Sequence, residues 1–300
     1  MPSLRSRLYY QISRFTLARL RARNLSLPDL RADRERIASR MFRLPQGVAA
    51  RPCTIGGCRA EWLVPQGVSA GTAVLHLHGG AYQTGSLATH RALAARLALE
   101  SGSAVLLFEY RLAPEHPFPA ALDDALRVYR ELLADGEFSR IAFAGDSAGG
   151  GLALALSIAL HDAGEPMPAG LALLSPWTDL ALTGATHRGK ARLDPYFPTP
   201  DILDVAAQRY AGADRRNPLV SPLYADLSGL PPMLVHVGTH ETLLDDSVML
   251  ADRARAAGAP VEIRVWPGMW HVWQVFSGRM PEADRSLAEL GAFLRQRLVG

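Results

Sequence analysis

From residue 72 onward, short and almost wholly apolar runs alternate with longer stretches whose apolar residues recur every three or four positions. The runs Thr72–Leu77 (TAVLHL), Ser103–Glu109 (SAVLLFE), Arg140–Ala144 (RIAFA), Gly170–Leu174 (GLALL), Met233–Val237 (MLVHV) and Val261–Trp266 (VEIRVW) predict strands. Helices are predicted around residues 88–101, 119–135, 148–162, 242–257 and 281–298. Strands alternating with helices describe an α/β protein with a mostly parallel sheet covered on both faces. Ahead of them, residues 49–66, with WLVP, predict an antiparallel starter pair of strands.

The rhythm fails once. Nearly sixty residues separate Leu174 from Met233, including DPYFPTP (Asp194–Pro200), a short helix near Ile202–Tyr210 and the turn-rich RRNPLVSPLYADLSGLPP (Arg215–Pro232). A parallel crossover needs far less chain, so residues 178–217 are expected to be an insertion that covers something. With residues 1–48 it would make a helical cap, leaving 49–177 and 218–300 as two parts of one main domain.

In the first segment Leu4, Leu8, Ile12, Phe15 and Leu20 fall on one stripe of a helix whose other faces carry Arg5, Arg7, Arg14, Arg19 and Arg21. The pattern predicts a helix packed on the protein by that stripe, with a targeting or membrane-surface role as the alternative. Charge sharpens this picture. The net charge of +3 invites a polyanionic partner, yet residues 1–50 hold 11 Arg against 3 acids (Asp29, Asp33, Glu35), a balance of +8, and the rest of the chain is at −5. The basicity is local, so no nucleic-acid partner is expected. No apolar stretch is long enough for stable membrane insertion, and Arg interrupts every candidate secretory core. Cys53 and Cys58 make no disulfide framework and flank Thr-Ile-Gly-Gly, a turn between strands. Buried or idle thiols in a cytoplasmic protein are expected.

A Gly-x-Ser-x-Gly pentapeptide marks a strained strand-to-helix turn that exposes a nucleophilic serine, and the sequence has two. Gly67-Val-Ser69-Ala-Gly71 enters a strand, the wrong context. Gly145-Asp146-Ser147-Ala148-Gly149 leaves the run RIAFA and opens the helix GGGLALALSIAL, the required one. Serine needs a base to take its proton. His76 and His236 sit inside strand runs, where core packing accounts for them. His271 follows the last strand through Pro267-Gly268-Met269-Trp270, on a strand-end loop. A carboxylate must orient the imidazole. After MLVHV comes Gly238-Thr-His-Glu241-Thr242-Leu-Leu-Asp245-Asp246. Thr242-x-x-Asp245 reads as a capping box, which leaves Glu241 as the favoured acid over Asp245 or Asp246. The order Ser, Glu, His along the chain is that of α/β-hydrolases. Backbone donors for an oxyanion are expected at Gly79, Gly80 and Ala81, at the end of TAVLHL, with the N–H of Ala148.

Together, HGGAYQTGS (His78–Ser86), EYRLAPEHPFPA (Glu109–Ala120), GDSAGGGLA (Gly145–Ala153), SPWTDL (Ser175–Leu180), SPLYADLSGLPP (Ser221–Pro232) and Trp266–Phe276 resemble the hormone-sensitive-lipase family of bacterial carboxylesterases. The resemblance covers about residues 60–298. It implies an α/β-hydrolase fold with a cap and a triad of Ser147, Glu241 and His271 acting on short-to-medium acyl esters without a metal or other cofactor. It also implies that His78 braces the oxyanion loop and that Asp146 and Glu109-Tyr110-Arg111 support the site. A homodimer through the edge strand 261–266 is implied by the same analogy. Two departures stand out. Ala81 replaces the third glycine of the commoner HGGG, which matters if that position needs positive φ. Glu241 occupies a position more often Asp.

Tyr82, Phe197, Leu219 and Trp270 are candidate apolar liners of the pocket. A lactone hydrolase or deacetylase would use the same triad, and a non-catalytic small-molecule receptor on this fold would have lost the histidine. Gly184-Ala-Thr-His-Arg-Gly189-Lys190 matches most of a phosphate-binding loop, but Ala191 stands where Ser or Thr should hold magnesium. His76-x-His78 hints at a metal site, yet lacks the further ligands one needs.

Overall fold

The computed structural model describes residues 1–68 and 70–299. Ser69, the serine of the rejected pentapeptide, lies outside the described residues. Eight strands form one sheet: β1 Val48–Ile55, β2 Cys58–Pro65, β3 Thr72–Leu77, β4 Ala104–Phe108, β5 Arg140–Asp146, β6 Leu171–Leu174, β7 Met233–Gly238 and β8 Val261–Trp266. Their spatial order is β1-β2-β4-β3-β5-β6-β7-β8. β1 and β2 are an antiparallel hairpin and β2 runs antiparallel to β4; every other pairing is parallel. Gly56 and Gly57, both at positive φ, make the two-residue hairpin turn, and Cys53 and Cys58 on its arms are free thiols. The helices, in chain order, are α1 Leu4–Ala22, α2 Leu27–Met41, α3 Leu87–Ser101, α4 Ala120–Ala134, α5 Ala148–Asp162, α6 Thr186–Gly189, α7 Asp201–Ala211, α8 Leu244–Ala256 and α9 Pro281–Val299.

The central strands bury both faces, and their side chains divide between two cores by the strand period of two. On β3 and β5, Leu75, Leu77, Ile141 and Phe143 point into the larger core with α4, α5 and α8. Val74, Ala142 and Ala144 point into the other, filled by Leu93 and Leu97 of α3 and Leu287, Leu290 and Leu294 of α9. A third cluster, built from Met269, Trp270, Trp273, Phe276, Met280 and Ala283, lies under the N-terminal segment.

The N-terminal helix reverses the expectation of an inward apolar stripe. Leu4, Leu8, Ile12 and Phe15 are exposed, by 81, 58, 36 and 62 per cent, whereas Ser6, Ser13 and Leu20 are buried. Polar anchoring explains the choice of face. The hydroxyls of Ser3 and Ser6 and the N–H of Ser3 all donate to the carboxylate of Glu282 on α9. Tyr9 and Tyr10 then pack on Phe276 and Trp270 at ring separations of 5.1 and 5.5 Å. The supposed phosphate loop is also something else: its short helix α6 docks on α8, with His187 Nε2 2.7 Å from Asp246 Oδ1.

At the crossing of β5 into α5 the backbone leaves no room for side chains. A Cβ on Gly149 would run into the carbonyl oxygen of Leu77, and one on Gly145 into that of Gly149. Gly149→Ala is therefore expected to cost about 2–3 kcal/mol in urea unfolding, since the obstacle is backbone that cannot turn aside. Gly189→Ala, where nothing lies within 4 Å, should change stability by less than about 0.5 kcal/mol.

Candidate active site

The parallel register brings the ends of β5, β6 and β7 to one level: Asp146 pairs with Leu174, and Leu174 with His236. The loops that leave these ends carry the candidate groups. Ser147, immediately after β5, sits at φ 54°, ψ −122°. Its N–H donates to Leu174 O at 2.9 Å and its carbonyl accepts from the Trp177 N–H at 2.9 Å, so both sides of a strained residue are held by the next loop. Ala148 opens α5, where first-turn N–H groups have no partner within the helix.

Glu241 is fully buried beyond β7. Its Oε2 accepts from His271 Nδ1 at 3.2 Å, and its Oε1 accepts from the Ser175 hydroxyl at 2.9 Å and the Gly238 N–H at 2.6 Å. Burial pushes the Glu241 carboxyl up, while His271 and the Gly238 N–H pull it back. Burial works against charge on His271, but the hydrogen bond and negative charge of Glu241, aided by Asp194 and Asp146, outweigh it and hold the imidazole above its ordinary value. Ser147 reaches the same end of the sheet without a direct hydrogen bond to His271 among the described residues.

Two residues of this network escaped the sequence reading. The Ser175 hydroxyl, besides donating to Glu241, accepts from the N–H of Val272, the residue after His271, at 3.3 Å. Ser175 directly follows a strand run, the same signal that pointed to Ser147, and could have been found by it. Asp194 accepts from the N–H and hydroxyl of Thr242 at 3.0 and 3.1 Å and from the Tyr196 N–H at 2.9 Å. It lies in the proline-rich segment, where no periodicity marks it. The expected Thr242–Asp245 capping box is absent: Thr242 bonds Asp194, Leu243 caps α8, and Asp245 Oδ2 accepts instead from the Thr186 N–H at 3.0 Å.

The turn after β3 is held by the residue before Ser147. The Gly79 N–H donates to Asp146 Oδ1 at 3.1 Å. Gly79 therefore drops out of the expected set of oxyanion donors, leaving Gly80 and Ala81 on this loop. Gly80 and Ala81 sit at φ 125° and 55°, so alanine does occupy a left-handed position where glycine is commoner. His78 is buried and stacked on Tyr110 at 4.1 Å. Its Nδ1 meets the carbonyl oxygen of Gly79 at 2.9 Å, which fixes the proton on that nitrogen. Burial, with His90 nearby, lowers its pKa to about 3, so it braces the loop as a neutral ring. The Tyr110 hydroxyl donates to His78 O at 2.7 Å. Asp146 is further contacted by His90 Nε2 and, at a poorer angle, by His76 Nε2, each at 3.3 Å. His90 carried no sequence signal. Arg111 turns away, onto Asp124.

Of the candidate liners, Phe197 lies 4.9 Å from the His271 ring. Tyr82 is buried and stacked face to face on Tyr210 at 3.7 Å, at φ 58°. Trp270 is fully buried against Tyr10 and Phe276, a packing role in place of the expected lining one. Leu219 is half-buried against the larger core.

The family described as alpha/beta hydrolase fold matches residues 74–275. The chain belongs to the hormone-sensitive-lipase-like branch of the α/β-hydrolases. It is 46% identical over 243 residues to an acetyl-hydrolase of Streptomyces hygroscopicus, covering 81% of each chain. It is 41% identical to an esterase of Acinetobacter venetianus, covering 85% of this chain and 84% of that one. A hormone-sensitive lipase from a metagenome library superposes with a TM-score of 0.91 at 41% identity, covering 98% of each chain. This protein is accordingly a carboxylic ester hydrolase.

The site's electrostatics give a direct expectation. In an NMR titration His271 should lose its proton above pH 6.5, its ordinary value, and in Glu241→Gln it should lose it at lower pH, because the substitution removes the charge that holds the proton. A His271 pKa unchanged by that substitution would contradict the coupling.

Proposed function

We propose that this esterase works by an acyl-enzyme mechanism on Ser147, Glu241 and His271, hydrolysing esters of short-to-medium acyl chains. The observation that carries the reading is the buried Glu241–His271 hydrogen bond, at the strand ends beside a serine in a strained elbow. In this reading His271 Nδ1–H stays with Glu241, which leaves Nε2 to take the Ser147 proton as its oxygen attacks the carbonyl carbon. The oxyanion then meets the N–H groups of Gly80, Ala81 and Ala148, while Asp146 engages Gly79 and holds the loop in place. The proton passes to the departing alcohol, and water, activated by the same imidazole, releases the acid. Residues 1–48 and 178–217 act together as the cap. Tyr10 Oη donates to Leu193 O and Arg21 to Pro195 O, each at 2.8 Å, tying the two segments together beside Phe197.

The name of the Streptomyces relative, an acetyl-hydrolase, supports the short end of the acyl range. On a p-nitrophenyl acyl series Ser147→Ala should lose at least about 10³-fold in kcat. Glu241→Gln should be far more damaging than Asp245→Asn, since Asp245 serves the α6 backbone; the reverse order would move the acid role to Asp245. The rate should be greatest between acetyl and hexanoyl. A maximum on palmitoyl would overturn the short-chain reading and leave the triad standing.

A further inference from the structure

Helix α1 presents a face that the ester chemistry leaves unused. Its exposed Leu4, Leu8, Ile12 and Phe15 recur at intervals of four, four and three, one continuous apolar stripe along its outer side. The helix has five arginines and no acidic residue. Arg21 is engaged with Pro195 O, but Arg5, Arg7, Arg14 and Arg19 are exposed, and no carboxylate lies within ion-pair distance of them among the described residues. Arg19 lies over the Phe15 ring at 4.9 Å, joining the cationic rim to the apolar stripe. The inner side is held independently, by Glu282, Phe276 and Trp270. The outer stripe is therefore not a by-product of a loosely placed helix.

No helix among the described residues is long and apolar enough to cross a membrane. An apolar stripe flanked by arginine on an otherwise anchored helix suits a different arrangement, in which the helix lies in the plane of a lipid surface. The charge selects that occupant over a second copy of the chain, because pairing the stripe with itself would set the unpaired arginines of one helix against those of the other. It also selects anionic over neutral lipid. We propose that the outer face of α1 docks on anionic lipid surfaces, with Leu4, Leu8, Ile12 and Phe15 entering the headgroup boundary and Arg5, Arg7, Arg14 and Arg19 meeting lipid phosphates. Because α1 rests by Tyr10 on Trp270, the neighbour of His271, docking places the lipid on the outer side of the helix that packs against the His271 loop.

The test is co-sedimentation of the full chain with vesicles of phosphatidylcholine alone and of phosphatidylcholine with phosphatidylglycerol, at low and high salt. Binding to the anionic vesicles should be at least about tenfold tighter and should weaken with salt. Leu8→Ser with Phe15→Ser, and separately the four-fold Arg5, Arg7, Arg14 and Arg19→Gln variant, should each lose it. Both should keep the wild-type circular dichroism spectrum and urea-unfolding midpoint, which report an intact fold, and Ser147→Ala should bind vesicles as the wild type does, which separates docking from the catalytic assignment. No vesicle binding, or equal salt-independent binding to both compositions, overturns the proposal. So does a dimer in light scattering that the Leu8 and Phe15 substitutions abolish, since the stripe would then belong to a second copy.

Discussion

The site depends on how one fully buried carboxylate is kept satisfied. Glu241 sits where water cannot reach it, a position costly for a charge unless donors surround it. Three converge: Ser175 from the end of β6, Gly238 from the end of β7, and His271 from the loop after β8. Each comes from a different strand end, so the charge is tolerated only if the sheet is in register. The last of these contacts also orients the imidazole, and the charge of Glu241, aided by Asp194 and Asp146, raises its proton affinity.

Strand spacing then sets the scale of the site. Neighbouring strands stand ~4.8 Å apart, and the groups are carried on successive strand ends, so their separations are fixed by the sheet before any side chain is chosen. Side-chain length makes up the remainder. Glutamate at position 241 spans from the Gly238 N–H to His271, a reach that the commoner aspartate would meet only with a different loop path.

What could be read in the sequence was whatever repeats or stands at a strand end. The apolar runs gave the central strands to within a residue or two, and the gathering of Ser147, Glu241 and His271 at one end of the sheet was legible because each lies on a loop that follows such a run. Ser175 obeys the same rule, directly following the run of β6. The rest had no local signature. Asp194 lies in a proline-rich segment, and its partner Thr242 is 48 residues away. The orientation of α1 was illegible for a subtler reason: an apolar stripe has the same periodicity whether it faces in or out. The choice was made by Glu282, a distant carboxylate that draws Ser3 and Ser6 inward. The engagement of the Gly79 N–H was hidden similarly, since only the sheet order reveals that Asp146 lies beneath it.

That last contact has a mechanical consequence. Asp146 is one residue from Ser147, and Gly79 leads directly into Gly80 and Ala81 in the turn after β3. Pulling the loop away would leave a buried carboxylate short of a donor, a penalty larger than the loss of an ordinary hydrogen bond. The elbow and the loop therefore behave as a single rigid jaw. A substitution that loosens either one is therefore felt at the other, across the boundary between the neighbouring strands β3 and β5.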